Sequence, residues 1–148
     1  MADVKISDLS ESTAPADSDI FEMEVSSVSK KVTLQNVIKK GTNRITTITS
    51  NANPTINTDN CDFVTITAQA EAIASMTTNL SGTPTNFQKL IIRIKDNGTA
   101  RAITWGASFE AKGIALPTTT VLSKVLTVGF LYDTVTSKWG CVAALNEV

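Results

Sequence analysis

Cys61 and Cys141 are the only thiols in the chain, and no histidine is present to deprotonate them. Without histidine, the commonest general base and metal ligand is missing, and with it every Ser-His or Cys-His nucleophile. The two cysteines lack Cys-x-x-Cys spacing and read as buried free thiols that pack as small apolar groups. A structural disulfide is disfavoured by assembly in a reducing compartment. Asp59, Asp62, Asp96 and Asp133 are candidates for a calcium site, yet no Asp-x-Asp-x-Asp spacing occurs, and Asp or Asn beside Gly is ordinary turn chemistry. The 14 acidic residues offer no preferred pair for hydrolysis. The reading is a non-enzymatic protein with no cofactor and no metal.

Binding chemistry is equally sparse. Trp105, Trp139 and Tyr132 have the flat rings that sugars stack on, but only 5% of residues are aromatic and these three fall on faces assigned to the core. Asn79-Leu80-Ser81 and Asn97-Gly98-Thr99 match the glycosylation triplet, and both read as accidental because no secretion signal accompanies them. A net charge of −1 with scattered charges provides no footprint for nucleic acid. Lys30-Lys31 and Lys39-Lys40 read as solvated ends of short elements, and no basic amphipathic helix suggests a membrane surface. Met1 to Lys5 lead into polar sequence, so synthesis and assembly in a cytoplasm are expected.

Positioning these residues requires strands. Asn97-Gly98 separates two alternating runs, residues 90–95 and 100–105, and tolerates the positive φ of a type I′ turn. That turn predicts a hairpin pairing Ile94 with Arg101, Ile92 with Ile103 and Leu90 with Trp105. A second hairpin joins residues 124–132 to 138–145 through a four-residue loop, Thr134 to Ser137. It sets Tyr132 against Trp139, Phe130 against Cys141, Val128 against Ala143 and Leu126 against Leu145. Residues 44–49, 62–68, 73–80 and part of 106–113 supply further strands, with a helical turn at 69–72. Roughly eight short strands predict an all-β, antiparallel β-sandwich (jelly-roll-like) over residues 41–148. Residues 1–40 differ: a strand at 20–25, a turn at 26–29 and a return strand at 30–32 make a small hairpin. Thr33 then caps a short helix bearing Leu34, Val37 and Ile38, which Gly41 ends. This segment is too small to bury a core alone and is expected to dock on something.

Two stretches resemble known proteins. Lys5-Ile6-Ser7-Asp8-Leu9, Asp19-Ile20-Phe21 and Ser29-Lys30-Lys31-Val32-Thr33-Leu34 resemble the virion-proximal N-terminal segment of tailed-bacteriophage fibre and appendage proteins. Residues 90–105, continuing through Leu116-Pro117-Thr118-Thr119-Thr120 to Tyr132 and Lys138-Trp139, are similar to a β-sandwich module of phage structural proteins. The resemblance implies a virion component assembled in the host cytoplasm, a homotrimer whose partners are other phage virion proteins. Residues 1–40 would be the anchor, with apolar contacts from Ile20, Phe21, Val25, Val32, Leu34 and Val37. No catalytic residue is implied. A chain of 148 residues leaves no room for a long shaft, which favours a compact knob on tail fibre, baseplate or neck, with capsid decoration as the alternative. A carbohydrate-binding module for a host surface glycan is the alternative of another class; it would need an exposed, ligand-lined groove, and the scarcity of aromatics argues against it. A hydrolase, which would need an exposed carboxylate pair, is a distant third.

Overall fold

The computed structural model describes residues 20–25, 28–33, 43–76 and 80–148. The chain divides into two compact units, Met1–Thr42 and Asn43–Val148. In the first, β1 (Ile20–Val25) runs antiparallel to β2 (Val28–Thr33), with Phe21 opposite Val32 and Val25 opposite Val28. The return strand therefore starts earlier than the expected Lys30. The expected short helix, with the anchor positions Leu34 and Val37, lies outside the described residues.

The second unit corrects the expected architecture. It is not an antiparallel sandwich or jelly roll but a parallel-rich β-solenoid of about three turns. No helix occurs among the described residues. β3 (Ile45–Ile48), β5 (Phe63–Gln69) and β7 (Lys89–Asp96) lie side by side and parallel, Ile45 beside Phe63 and Phe63 beside Ile91. On a second wall, β4 (Ile56–Asn57) is parallel to β6 (Leu80–Ser81), and on a third Ile73 bridges Ile103 in parallel. Among the described residues of the expected 73–80 strand, only Leu80 lies in a strand, β6, and the expected helical turn begins at Gln69, which instead ends β5.

Each turn of the solenoid sends alternate residues inward. Val64, Ile66, Leu90, Ile92 and Ile94 from the long strands meet Ile56, Ile73, Met76 and Ile103 from the other walls, all buried. At one corner the buried Gln69 side chain donates to the Asn51 carbonyl at 3.0 Å and accepts the Asn51 N–H at 3.1 Å. Its backbone carbonyl accepts the Asn97 N–H at 3.1 Å. One residue thus ties three successive turns, and its own polar atoms are satisfied inside the core.

The Asn97-Gly98 hairpin does not form. Gly98 has φ +92°, but Asn97 is not among the residues with positive φ, and a type I′ turn needs both. The buried Asp96 carboxylate instead accepts the Gly98 N–H at 3.0 Å, the Ser123 N–H at 2.9 Å and the Thr120 hydroxyl at 2.8 Å. This corner sends the chain onto another wall, and β9 (Val125–Asp133) takes the free edge of β7 antiparallel. The alternation in residues 100–105 is genuine, since Ile103 points into the core, but alternation alone does not distinguish a hairpin partner from the next wall of a coil.

The second hairpin forms with the expected four-residue loop. β9 pairs with β10 (Lys138–Asn146), Tyr132 opposite Trp139 and Phe130 opposite Cys141. A bulge between Cys141 and Ala143 then shifts the register, setting Ala143 against Gly129 and Ala144 against Val128 rather than the expected partners. β8 (Phe109–Ala111) adds parallel to β10, completing a six-stranded sheet in the order β3-β5-β7-β9-β10-β8. Trp105, Phe109 and Phe130 cluster with ring centroids 4.8 to 5.2 Å apart and fill the end of the core.

Candidate functional site

The six-stranded sheet has one face on the core and one facing away, because successive side chains alternate. Outward positions are Ile45 and Thr47 on β3, Phe63 and Thr65 on β5, and Lys89, Ile91, Arg93 and Lys95 on β7. On β9 and β10 they are Thr127, Gly129, Leu131, Val142 and Ala143. Strand register aligns Ile45, Phe63, Ile91, Gly129 and Ala143 into one row across the sheet. Ile45 is 64% exposed, Val142 45% and Leu131 37%. The row is an apolar stripe on the outward face of the larger unit's sheet. Lys89 lies 5.3 Å from the Phe63 ring centroid, a cation over an aromatic face.

At one end the stripe opens into a groove of about 300 Å³ walled by Phe87, Leu131, Tyr132, Val135 and Val142. Phe87 is 75% exposed and has φ +60°, a left-handed backbone that bulky residues rarely adopt. Its N–H donates to the Tyr132 carbonyl at 2.9 Å, and the Gln88 side chain caps the Thr85 N–H at 3.0 Å. The turn therefore holds an aromatic ring out in solvent at a conformational cost. At the rim, Lys112 lies 2.9 Å from Asp133 and 3.3 Å from Glu110. The hydrogen bond to Asp133 holds the Lys112 ammonium above its ordinary value, and the same bond holds Asp133 below the usual carboxylate range. Gly140 makes room for this: a Cβ there would sit 2.5 Å from the Lys112 Cγ.

The residues singled out in the sequence are dispersed. Asp59 and Asp62 serve Arg44, whose guanidinium donates to both Asp62 oxygens at 2.7 and 3.0 Å and to the Asp59 carbonyl. Asp96 closes its corner and Asp133 pairs with Lys112, so the four aspartates do not converge. Among the described residues no three His, Cys, Asp or Glu side chains form a metal-binding group. Trp139 is 2% exposed and packs on Tyr132 with centroids 5.1 Å apart. Trp105 donates its indole N–H to the Pro117 carbonyl at 2.6 Å. Neither tryptophan is a platform. Cys61 and Cys141 are buried and free. Of the anchor positions, Ile20, Phe21 and Val25 lie on β1 and Val32 on β2.

Sequence reasoning missed Phe87, a lone aromatic in a polar loop between Pro84 and Lys89. It also missed the outward stripe, although two signals were present. Ile91 interrupts the charged positions of β7, and Gly129 stands in mid-strand, where glycine marks a close approach of another surface. Compared with family models, with curated proteins and with solved structures, the chain matches none.

Proposed function

We propose that this chain is a non-enzymatic structural component of a virion, mounted on other virion proteins through residues 1–40 and presenting the Asn43–Val148 solenoid as a compact appendage. The virion assignment draws on the resemblance of residues 5–9, 19–21 and 29–34 to phage fibre and appendage proteins. The observation that supports a mount-and-display arrangement is the division of the chain. Every residue of the described core lies between Ile56 and Cys141, within the larger unit. The smaller unit carries the β1–β2 hairpin, too short to be stable alone, which suits a segment completed by a partner.

Tail, baseplate, neck and capsid mounts share this chemistry and differ in copy number. Quantitative mass spectrometry of purified particles is the test. A low fixed copy number assigns a tail, baseplate or neck position, a high one assigns capsid decoration, and no association with particles contradicts the proposal.

One observation favours glycan recognition as a second reading: the solvent-facing Phe87 beside Asn86, Lys112 and Asp133 at the groove. An exposed ring flanked by polar groups suits a sugar face. Binding on a glycan array that disappears in Phe87→Ala supports this reading, and no binding by the native protein removes it.

A further inference from the structure

We infer that the outward face of the six-stranded sheet is a self-association surface, occupied by a second copy of this chain related by a twofold axis. The axis runs along the strands, in the plane of contact, beneath the line between β7 and β9.

The argument begins with size. The midline of the order β3-β5-β7-β9-β10-β8 falls between β7 and β9. A twofold rotation about that line lays β7 of one copy over β9 of the other, and β5 over β10. Ile91 then meets the partner's Gly129, and Phe63 meets the partner's Ala143, because all four share one register row. Large apolar side chains occupy one half of the row and the smallest ones the other half. The hollow at Gly129 is open: a Cβ there would have only Ala143 and Val142 nearby, at 3.6 and 3.9 Å. In an isologous interface each such contact is made twice.

Charge selects against the alternative stacking. Lys89, Arg93 and Lys95 on β7 are cations, and β3 and β5 present no outward acid beside them. A direct β7-on-β7 packing would bring like charges together. Under the offset axis those cations lie over β9, whose outward positions from Val125 to Leu131 are uncharged, with Asp133 and Glu147 at its two ends. Lys112 and Lys138 on that half are already beside Asp133, the first as an ion pair and the second as its cross-strand neighbour.

The area suffices too. Strands about 4.8 Å apart, rising about 3.3 Å per residue and shorter at the edges β3 and β8 than in the centre, make a face of roughly 600 Å², at the low end of the roughly 600–1,000 Å² per partner of a specific interface. This assembly is a dimer, whereas the resemblance to phage fibres implies a trimer, and it does not depend on the virion proposal.

The test is sedimentation equilibrium of the full chain at micromolar concentration, with far-UV circular dichroism and thermal unfolding as controls for folding. The native chain should be dimeric. Gly129→Ile, which fills the hollow, should weaken association at least tenfold while leaving the monomer's spectrum unchanged. Adding Ile91→Ala in the same chain moves the bulk to the other strand and should restore the dimer. A native chain that is monomeric or trimeric overturns the inference. So does a dimer that Gly129→Ile leaves intact, or one that the double variant fails to recover. If Gly129→Ile misfolds, Ile91→Lys in the native background replaces it: dissociation to monomers supports the face, and an unchanged dimer overturns it.

Discussion

Asp96 and Thr120 are joined by a 2.8 Å hydrogen bond inside the protein, 24 residues apart in sequence, and this bond closes the corner where the solenoid leaves β7. The Thr120 hydroxyl donates to Asp96 and in turn accepts the Arg101 N–H at 2.8 Å, so one side chain holds both sides of the crossing. With the Ser123 and Gly98 amides also on the carboxylate, the corner takes the place of a hairpin.

Burial alone would raise the Asp96 pKa, but the hydrogen bonds from Ser123, Thr120 and Gly98 outweigh it and hold the carboxyl below the usual range. The unfolded chain therefore binds this proton more readily than the folded one. The stabilisation is present above the ordinary aspartate value and is lost as pH falls through the lower folded value. Asp96→Asn should cost about 2–3 kcal/mol near neutral pH, because charge-assisted bonds are lost and an amide N–H₂ faces donors. Urea denaturation across the acid range should show a shallower loss of stability in Asp96→Asn than in the native protein. Parallel acid limbs would assign the pH dependence elsewhere.

Phe87 lies in the left-handed region while remaining mostly in solvent. Asn tolerates that backbone, so Phe87→Asn should raise stability by about 0.5–1 kcal/mol. A gain of this kind indicates that the ring serves the surface rather than the fold. A loss in the denaturation midpoint would show that Phe87 packs more than its exposure implies.

Burial pushes the thiols of Cys61 and Cys141 up, so both are neutral at pH 7. Their sulfurs face the carbonyls of Asn57 and Ala143 at 3.2 and 3.6 Å. A thiol reagent should label the native protein on the timescale of unfolding and titrate both cysteines at once in denaturant. Rapid labelling of the native protein would contradict their burial.

Local signals in the sequence suffice where one neighbour decides the outcome. The loop from Thr134 to Ser137 and the pairs Tyr132–Trp139 and Phe130–Cys141 follow from alternation on both sides of a short turn. The β10 bulge was not legible, because alanines at 143 and 144 suit either register. Asp96-Asn97-Gly98 behaves differently. Strong hairpin chemistry there was overridden by three donors to one carboxylate, among them Thr120 and Ser123, which no local window contains. Parallel strands leave no turn signature, since their partners Ile66 and Ile94 are 28 residues apart. The groove escaped notice for a related reason: Phe87, Leu131 and Val142 meet only after β9 is laid beside β7 and β10.

The proposal divides the labour: residues 1–40 would attach and the solenoid would be displayed. It is tested most directly by supplying full-length and residues 43–148 forms together during particle assembly and measuring their ratio in purified particles. The account predicts that the shorter form folds, with the amide exchange protection of the full chain in β5, β7 and β9, and is absent from particles. Equal incorporation of the two forms would contradict it.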